Sequence, residues 1–377
     1  MRPLRSLRQK KTAGIAGPRA TLAQSSEELG LELDDVVIVF ACSDNFAPYM
    51  SVAMQSIIEN SSEDRHYDFV VLTRDLSPTS MLTLSRQASR PNIGIGFLDV
   101  DAVLGDTVLP HHGHFRPETY FRLLAPTFLD NVNKAIYLDS DLVVLDDIAK
   151  LYDIDITNYM LGATRDADTI GQICGYDGTV EPYLYNSLHM TEPLSYFQAG
   201  VLLMNLKLFR ETITPEEIID IATSKTWRWL DQDILNMLVD DDYVEVPMRW
   251  NYLVDWQGLR RNHIVATAPQ EIQDEYEEAR RNIAIAHFAG PDNRPWHYPN
   301  CDFGGLFWLY AQDSPYYEAL LKDLFDFQHN PKYLPRRAHS AFIFKGFMPF
   351  FDKKFKPGTE QRTAIIDFYS KFGDTNR

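Results

Sequence analysis

The chain has 377 residues, 45% hydrophobic and 24% charged, the proportions of a globular protein long enough to bury a large core. Its 53 acidic residues against 36 lysines and arginines give a net charge of -17, which argues against nucleic acid as a partner. Three widely spaced cysteines, Cys42, Cys174 and Cys301, form no CxxC, which argues against a disulfide framework and a thiolate zinc site.

Residues 1–20 are basic and acid-free, and 1–34 is expected to be a flexible N-terminal tail. No signal-peptide core and no run of eighteen apolar residues is present, so the cytoplasm is the expected location. From Val36 the β-branched run to Phe40 predicts a strand buried on both faces, ending in the polar turn Ala41-Cys42-Ser43-Asp44-Asn45. A helix over 48–59, a strand over 69–72, a helix over 78–89 and a strand over 93–100 continue the alternation. The predicted class is α/β: a mainly parallel, doubly wound sheet with helices on both faces and ligands at the carboxyl ends of its strands. A helix around 120–124 carries Arg122, and a strand over 135–138 runs into Asp139-Ser140-Asp141, followed by apolar 142–145. Residues 197–206 read as a small-residue turn feeding a strand, 231–238 as a helix opened by acids, and 283–286 as a strand leading to His287. The main domain is expected over 35–312, with a helical, basic and aromatic segment over 313–377.

Residues two apart on extended chain face one side, so Asp139 and Asp141 are expected to converge. Like charges that close need a cation between them, and oxygen ligands suit Mg2+ or Mn2+. Two solvated acids in a turn is the competing reading. His287, followed by Gly290 and Arg294, is either a third ligand that tilts the metal toward Mn2+ or a packed structural histidine. Asp231, Gln232 and Asp233 sit at a helix start, where capping is the simple alternative. Arg122 is placed to pair with a phosphate or a neighbouring acid.

Six blocks, in order, carry a resemblance: Phe40 to Asn45, Thr119 to Leu123, Tyr137 to Asp141, Gln198 to Asn205, Asp231 to Asn236, and His287 to Trp296. The sequence resembles the retaining glycosyltransferases of family 8, the group that contains glycogenin and the bacterial lipopolysaccharide galactosyl- and glucosyltransferases. The resemblance implies a GT-A fold with Mn2+, or Mg2+, held by Asp139, Asp141 and His287. It implies nucleotide contacts from Ala41, Ser43, Asp44, Asn45, Ser140, Gly290 and Arg294. Sugar or acceptor contacts are implied for Arg122, His114, Asp166, Gln198, Ala199 and Gly200, and catalytic roles for Gln232, Asp231 and Asp233. Three positions depart from the family pattern: Ser43 replaces a more usual Asp, Gln198 a more usual Asn, and the loop from His287 to Trp296 is one residue longer, with Arg294 for Lys.

The implied reaction is transfer of a hexose from UDP-glucose or UDP-galactose to a hydroxyl of a glycan or glycolipid acceptor, with retention, in cell-surface polysaccharide or lipopolysaccharide synthesis. An amide is a poor nucleophile, so Gln232 favours front-face substitution over double displacement. A non-catalytic nucleotide-sugar binder and a metal-dependent nucleotide-diphosphate hydrolase are the rival readings. Residues 332–356 carry seven lysines and arginines against the single acid Asp352, interleaved with phenylalanines. They suit either an anionic membrane surface or a tail packed back on the domain.

Overall fold

A computed structural model describes residues 22–31, 35–112, 116–255, 257–290 and 293–334, together with 351, 353–356, 358–359 and 361–362. The strands are β1 (Val36–Ala41), β2 (Tyr67–Thr73), β3 (Ile93–Asp99), β4 (Lys134–Leu138), β5 (Leu142–Val144), β6 (Leu161–Arg165), β7 (Phe197–Asn205), β8 (Val244–Glu245), β9 (Tyr252–Leu253) and β10 (Ile285–His287). Seven of them form one sheet in the order β3-β2-β1-β4-β7-β6-β8. All pairings in it are parallel except those of β7, which runs against both β4 and β6. The expected mainly parallel sheet is therefore present, with one reversed strand.

The β-branched and apolar runs form buried strands because each face has its own cover. Val37, Val39, Val70 and Leu72 pack with the helices Phe121–Phe128 and Leu230–Val239. Val36, Ile38, Phe40, Phe69 and Val71 pack with Ala47–Asn60 and Pro78–Gln87 on the other face. Ser77 starts the latter helix by accepting the Ser80 N–H, with Pro78 in its first turn.

A second, three-stranded sheet, β5-β10-β9, was not expected from the sequence. The apolar stretch 142–145 supplies one of its strands: β5 pairs antiparallel with β10, which also pairs parallel with β9. The strand expected within 197–206 is present, but the turn expected to feed it is not: β7 is already strand at Phe197 and runs to Asn205. Its small residues answer a close approach at the site described below. Of the expected N-terminal tail, residues 22–31 pack onto the domain: Ala23 bridges to Leu98, and Leu29 is buried. Residues 1–21 and 32–34 lie outside the described residues. No described helix is long and apolar enough to cross a membrane. Most of the basic aromatic stretch, 335–350 and Asp352, lies outside the described residues. Beyond it, Arg362 stacks on Tyr176 and Phe351, and Gly358 N–H donates to Gly175 O, so these residues pack back on the domain.

Candidate active site

β4 ends in the large sheet at Leu138 and β5 begins in the small one at Leu142, so Asp139-Ser140-Asp141 is the link between the sheets. Both ends of the link are pinned: Asp139 N–H donates to Gly200 O at 2.8 Å, and Phe288 N–H donates to Asp141 O at 2.9 Å. His287 is the last residue of β10, so the small sheet delivers it to the same point. The ligand atoms of Asp139, Asp141 and His287 lie within 4.8 Å of one another. His287 Nε2 is 3.2 Å from Asp141 Oδ1 and 3.7 Å from Asp139 Oδ2, and its ring is 1% exposed. A Cβ on Gly200 would collide with the His287 ring and lie 2.6 Å from Asp139 Oδ2, so only glycine leaves this space open.

Two carboxylates this close repel unless a cation lies among them, and two oxygens with one imidazole nitrogen suit Mn2+ or Mg2+. Beside them Ser140 Oγ is buried, in a residue of the cleft wall, with no hydrogen-bond partner among the described residues. The residues present therefore fit a divalent ion with an oxygen-rich ligand beside it. Burial alone would raise Asp141, but the His287 hydrogen bond, with the charges of His287 and Arg294, holds its carboxyl below the ordinary range.

Arg122, on the helix Phe121–Phe128, reaches the same centre. Its Nη2 donates to Asp139 Oδ1 at 2.8 Å, its Nε lies 2.7 Å from Asp231 Oδ2, and it donates to Ala199 O. Its guanidinium lies over the Tyr137 ring, 4.3 Å from the centroid. The residue is thus committed to neighbouring acids, holding two carboxylates in a nearly dry site. Burial pushes Asp231 up to about 6 even though Arg122 and Thr119 favour its charged form.

Asp166 caps the short helix Ala167–Gly171, its Oδ1 accepting the N–H groups of Asp168 and Thr169. Its Oδ2 accepts from Gln232 Nε2 at 3.1 Å, while Gln232 Oε1 accepts the Ala199 N–H at 3.0 Å. Both ends of the Gln232 amide are occupied, which fixes its plane in the cleft wall. Burial and the neighbouring Asp168 push Asp166 up. Asp233 departs from the expectation. It faces away from the cleft, fully buried, and accepts from Tyr183 Oη, Tyr196 Oη and Trp229 N–H. Two positions along a helix turn a side chain through about 200°, so Asp231 and Asp233 cannot share a face. A structural role replaces the catalytic one expected for Asp233.

These residues line one cleft of about 1390 Å³, measured with its open mouth, together with Ala41, Ser43, Phe46, Gln198, Ala199, Trp229, Arg260, Gly290 and Arg294. Asp44 and Asn45 are not brought to it: Asp44 Oδ1 accepts the Ser77 N–H at 2.9 Å, and Asn45 is exposed. His114 lies outside the described residues. The wall carrying Arg294 is buttressed from behind. Trp296 stacks on Tyr49 at 4.1 Å between centroids, and the Arg294 guanidinium lies 5.6 Å from the Trp296 ring. Asp323, on the helix Tyr317–His329, accepts from Tyr49 Oη at 2.8 Å and lies 3.2 Å from His297 Nε2; His297 stacks on Phe327. Sequence reasoning missed Asn251, which holds His287 Nδ1 at 2.8 Å, and Arg260, which pairs with Asp168 at 2.7 Å. Neither stands in a motif that would have marked it.

Residues 37–300 match the family described as Glycosyl transferase family 8. A putative glycosyltransferase of Haemophilus influenzae is 27% identical over 277 residues, covering 71% of this chain and 76% of that protein. A lipopolysaccharide 1,2-glucosyltransferase of Escherichia coli K12 is 22% identical over 235 residues, 58% of this chain and 62% of that one. Among solved structures, the galactosyltransferase LgtC in complex with donor and acceptor sugar analogues superimposes with a TM-score of 0.61 at 26% identity, covering 74% of this chain and 96% of LgtC.

Proposed function

The chain belongs to glycosyl transferase family 8 and is a glycosyltransferase of GT-A fold, and from that premise we propose that it transfers a hexose from UDP-glucose or UDP-galactose, with retention, to a hydroxyl of a glycan or glycolipid. The observation that carries this reading is the convergence of Asp139, Asp141 and His287 at the floor of a cleft that also presents the Ser140 hydroxyl. A divalent ion held by those three side chains, Mn2+ in our reading, would supply positive charge to the departing diphosphate. Arg294 and Gly290 line the cleft on the side proposed for the phosphates, and Ala41 and Ser43 the side proposed for the base.

The sugar is proposed to lie against Arg122, Asp166, Ala199, Asp231 and Gln232. Arg122 orients Asp139 and Asp231, and Asp166 with the Ala199 amide orients Gln232. The acids around Gln232 offer no uncommitted nucleophile. Asp231 is held by Arg122 and Thr119, Asp166 caps a helix, and Asp233 points elsewhere. That arrangement favours acceptor attack on the face the leaving group departs from, with the acceptor proton passing to the leaving phosphate. The likeness to a lipopolysaccharide 1,2-glucosyltransferase supports cell-surface glycans as the pathway. The charge pattern of 332–356 supports a peripheral membrane contact, testable by sedimentation with anionic vesicles at low salt; full recovery in the supernatant would remove it.

The test is thermal unfolding with Mn2+ and each UDP-sugar, followed by UDP release with and without an acceptor. One UDP-sugar should raise the midpoint in a Mn2+-dependent way and release UDP faster with acceptor. Free sugar or UMP without acceptor would indicate a hydrolase, and binding without turnover a sensor. No stabilisation by any UDP-sugar would overturn the donor assignment.

A further inference from the structure

One hydrogen-bond chain in the cleft wall has a fixed direction. It starts at the Gly200 peptide N–H, which can only donate, so the Gln198 atom 2.6 Å from it is the carbonyl Oε1. That oxygen also lies 2.6 Å from the Asn251 amide, and the Asn251 atom facing it must be the donor Nδ2. The other end of Asn251 is then Oδ1, an acceptor, 2.8 Å from His287 Nδ1. Nδ1 must therefore carry a hydrogen, which leaves Nε2 as the nitrogen turned to Asp139 and Asp141. Asn251 is 3% exposed and His287 1%, so the order is held inside the protein. Gly200 thus acts twice: its missing side chain leaves room for the cluster, and its amide sets the polarity of the chain.

We infer that Gln198 and Asn251 are positioning residues for His287, acting through one another to hold Nε2 toward the two carboxylates and so setting the affinity of the site for a divalent cation. The inference rests on the metal reading of Asp139, Asp141 and His287. It assigns Gln198 Oε1 to the support of a ligand, where the family resemblance implies a sugar contact. Partners that orient a metal-binding histidine typically change affinity by 10- to 100-fold when removed.

The test is Mn2+ affinity of the full chain, read from the paramagnetic resonance of free Mn2+, alone and with UDP but no sugar. A pure sugar contact would leave this measurement unmoved. Asn251→Leu and Gln198→Met should weaken Mn2+ binding by about tenfold or more. Gln198→Glu, which still accepts from Gly200 and Asn251, should bind Mn2+ at least as tightly as the wild type. Unchanged affinity in folded Asn251→Leu and Gln198→Met would overturn the inference alone. Absence of Mn2+ binding by the wild type, with or without UDP, would overturn the metal reading and the inference with it. The spectrum of wild-type protein carrying 15N-histidine, with His287 assigned through His287→Asn, decides the tautomer without altering 198 or 251. A hydrogen on Nδ1 is expected, and an Nδ1 without one overturns the proposal.

Discussion

Asp231→Asn should make the protein more stable at neutral pH while impairing transfer. Asp231 is 4% exposed and its carboxyl is raised from 3.8 to about 6 by burial, after the favourable charge of Arg122 and the Thr119 hydrogen bond have acted. Unfolded, the group ionises near 3.8; folded, it holds its proton to about 6. Ionised Asp231 therefore opposes folding, by an amount that grows as pH rises between those values and is complete above the upper one. At 1.36 kcal/mol per pH unit the full cost is about 3 kcal/mol. Asparagine avoids it and keeps the contacts if its amide turns, with Oδ1 toward Arg122 Nε and Nδ2 toward the Thr119 hydroxyl. Urea unfolding of both proteins should show a gain of up to about 3 kcal/mol at pH 7.5, shrinking to about 1 kcal/mol at pH 4.5. A variant less stable than the wild type at pH 7.5, or a gain equal at the two pH values, would refute the reasoning. The expected outcome marks Asp231 as a residue retained for activity at the expense of stability.

Three further outcomes follow from the same centre. Asp139→Ala or Asp141→Ala should lower the rate of UDP release by about 10²–10³-fold with an unchanged circular dichroism spectrum; near-normal turnover would end the reading of these acids. Gly200→Ala should abolish measurable Mn2+ binding, because the added methyl enters the space between the His287 ring and Asp139 Oδ2; titration with Mn2+ checks it. Arg122→Met should destabilise by about 3–5 kcal/mol in urea at pH 7.5, since Asp231 is then buried without its cation, and Asp231→Asn added to it should restore much of the loss.

What the sequence disclosed and what it hid follow from range. β1, β2 and β3 each hold an apolar run buried on both faces, a signal contained within each segment. The pair Asp139 and Asp141 was legible for the same reason, being two residues at the end of one such run. The small sheet was not, because its strands are two or three residues long and come from 142–144, 252–253 and 285–287, with nothing local to announce their pairing. Only the start of β7 was misread, because glycine usually signals a turn, whereas Gly200 answers the crowding of His287 and Asp139 from outside its own segment. Asp231 and Asp233 look alike in sequence and separate only once the helix gives them different faces. Asn251 is the last residue of the short turn Met248–Asn251, and only burial beside His287 reveals its use.

The buttress formed by Asp323, Tyr49 and His297 bears on how this protein should be handled at the bench. The family match ends at residue 300, yet the helix Tyr317–His329 props the Trp296 and Arg294 wall from behind. An expression boundary drawn at the end of the matched region would strip Phe327 from the face of His297 and leave Tyr49 without its carboxylate. The smallest piece worth purifying for ligand work is longer than the piece that defines the family, and it runs at least through His329.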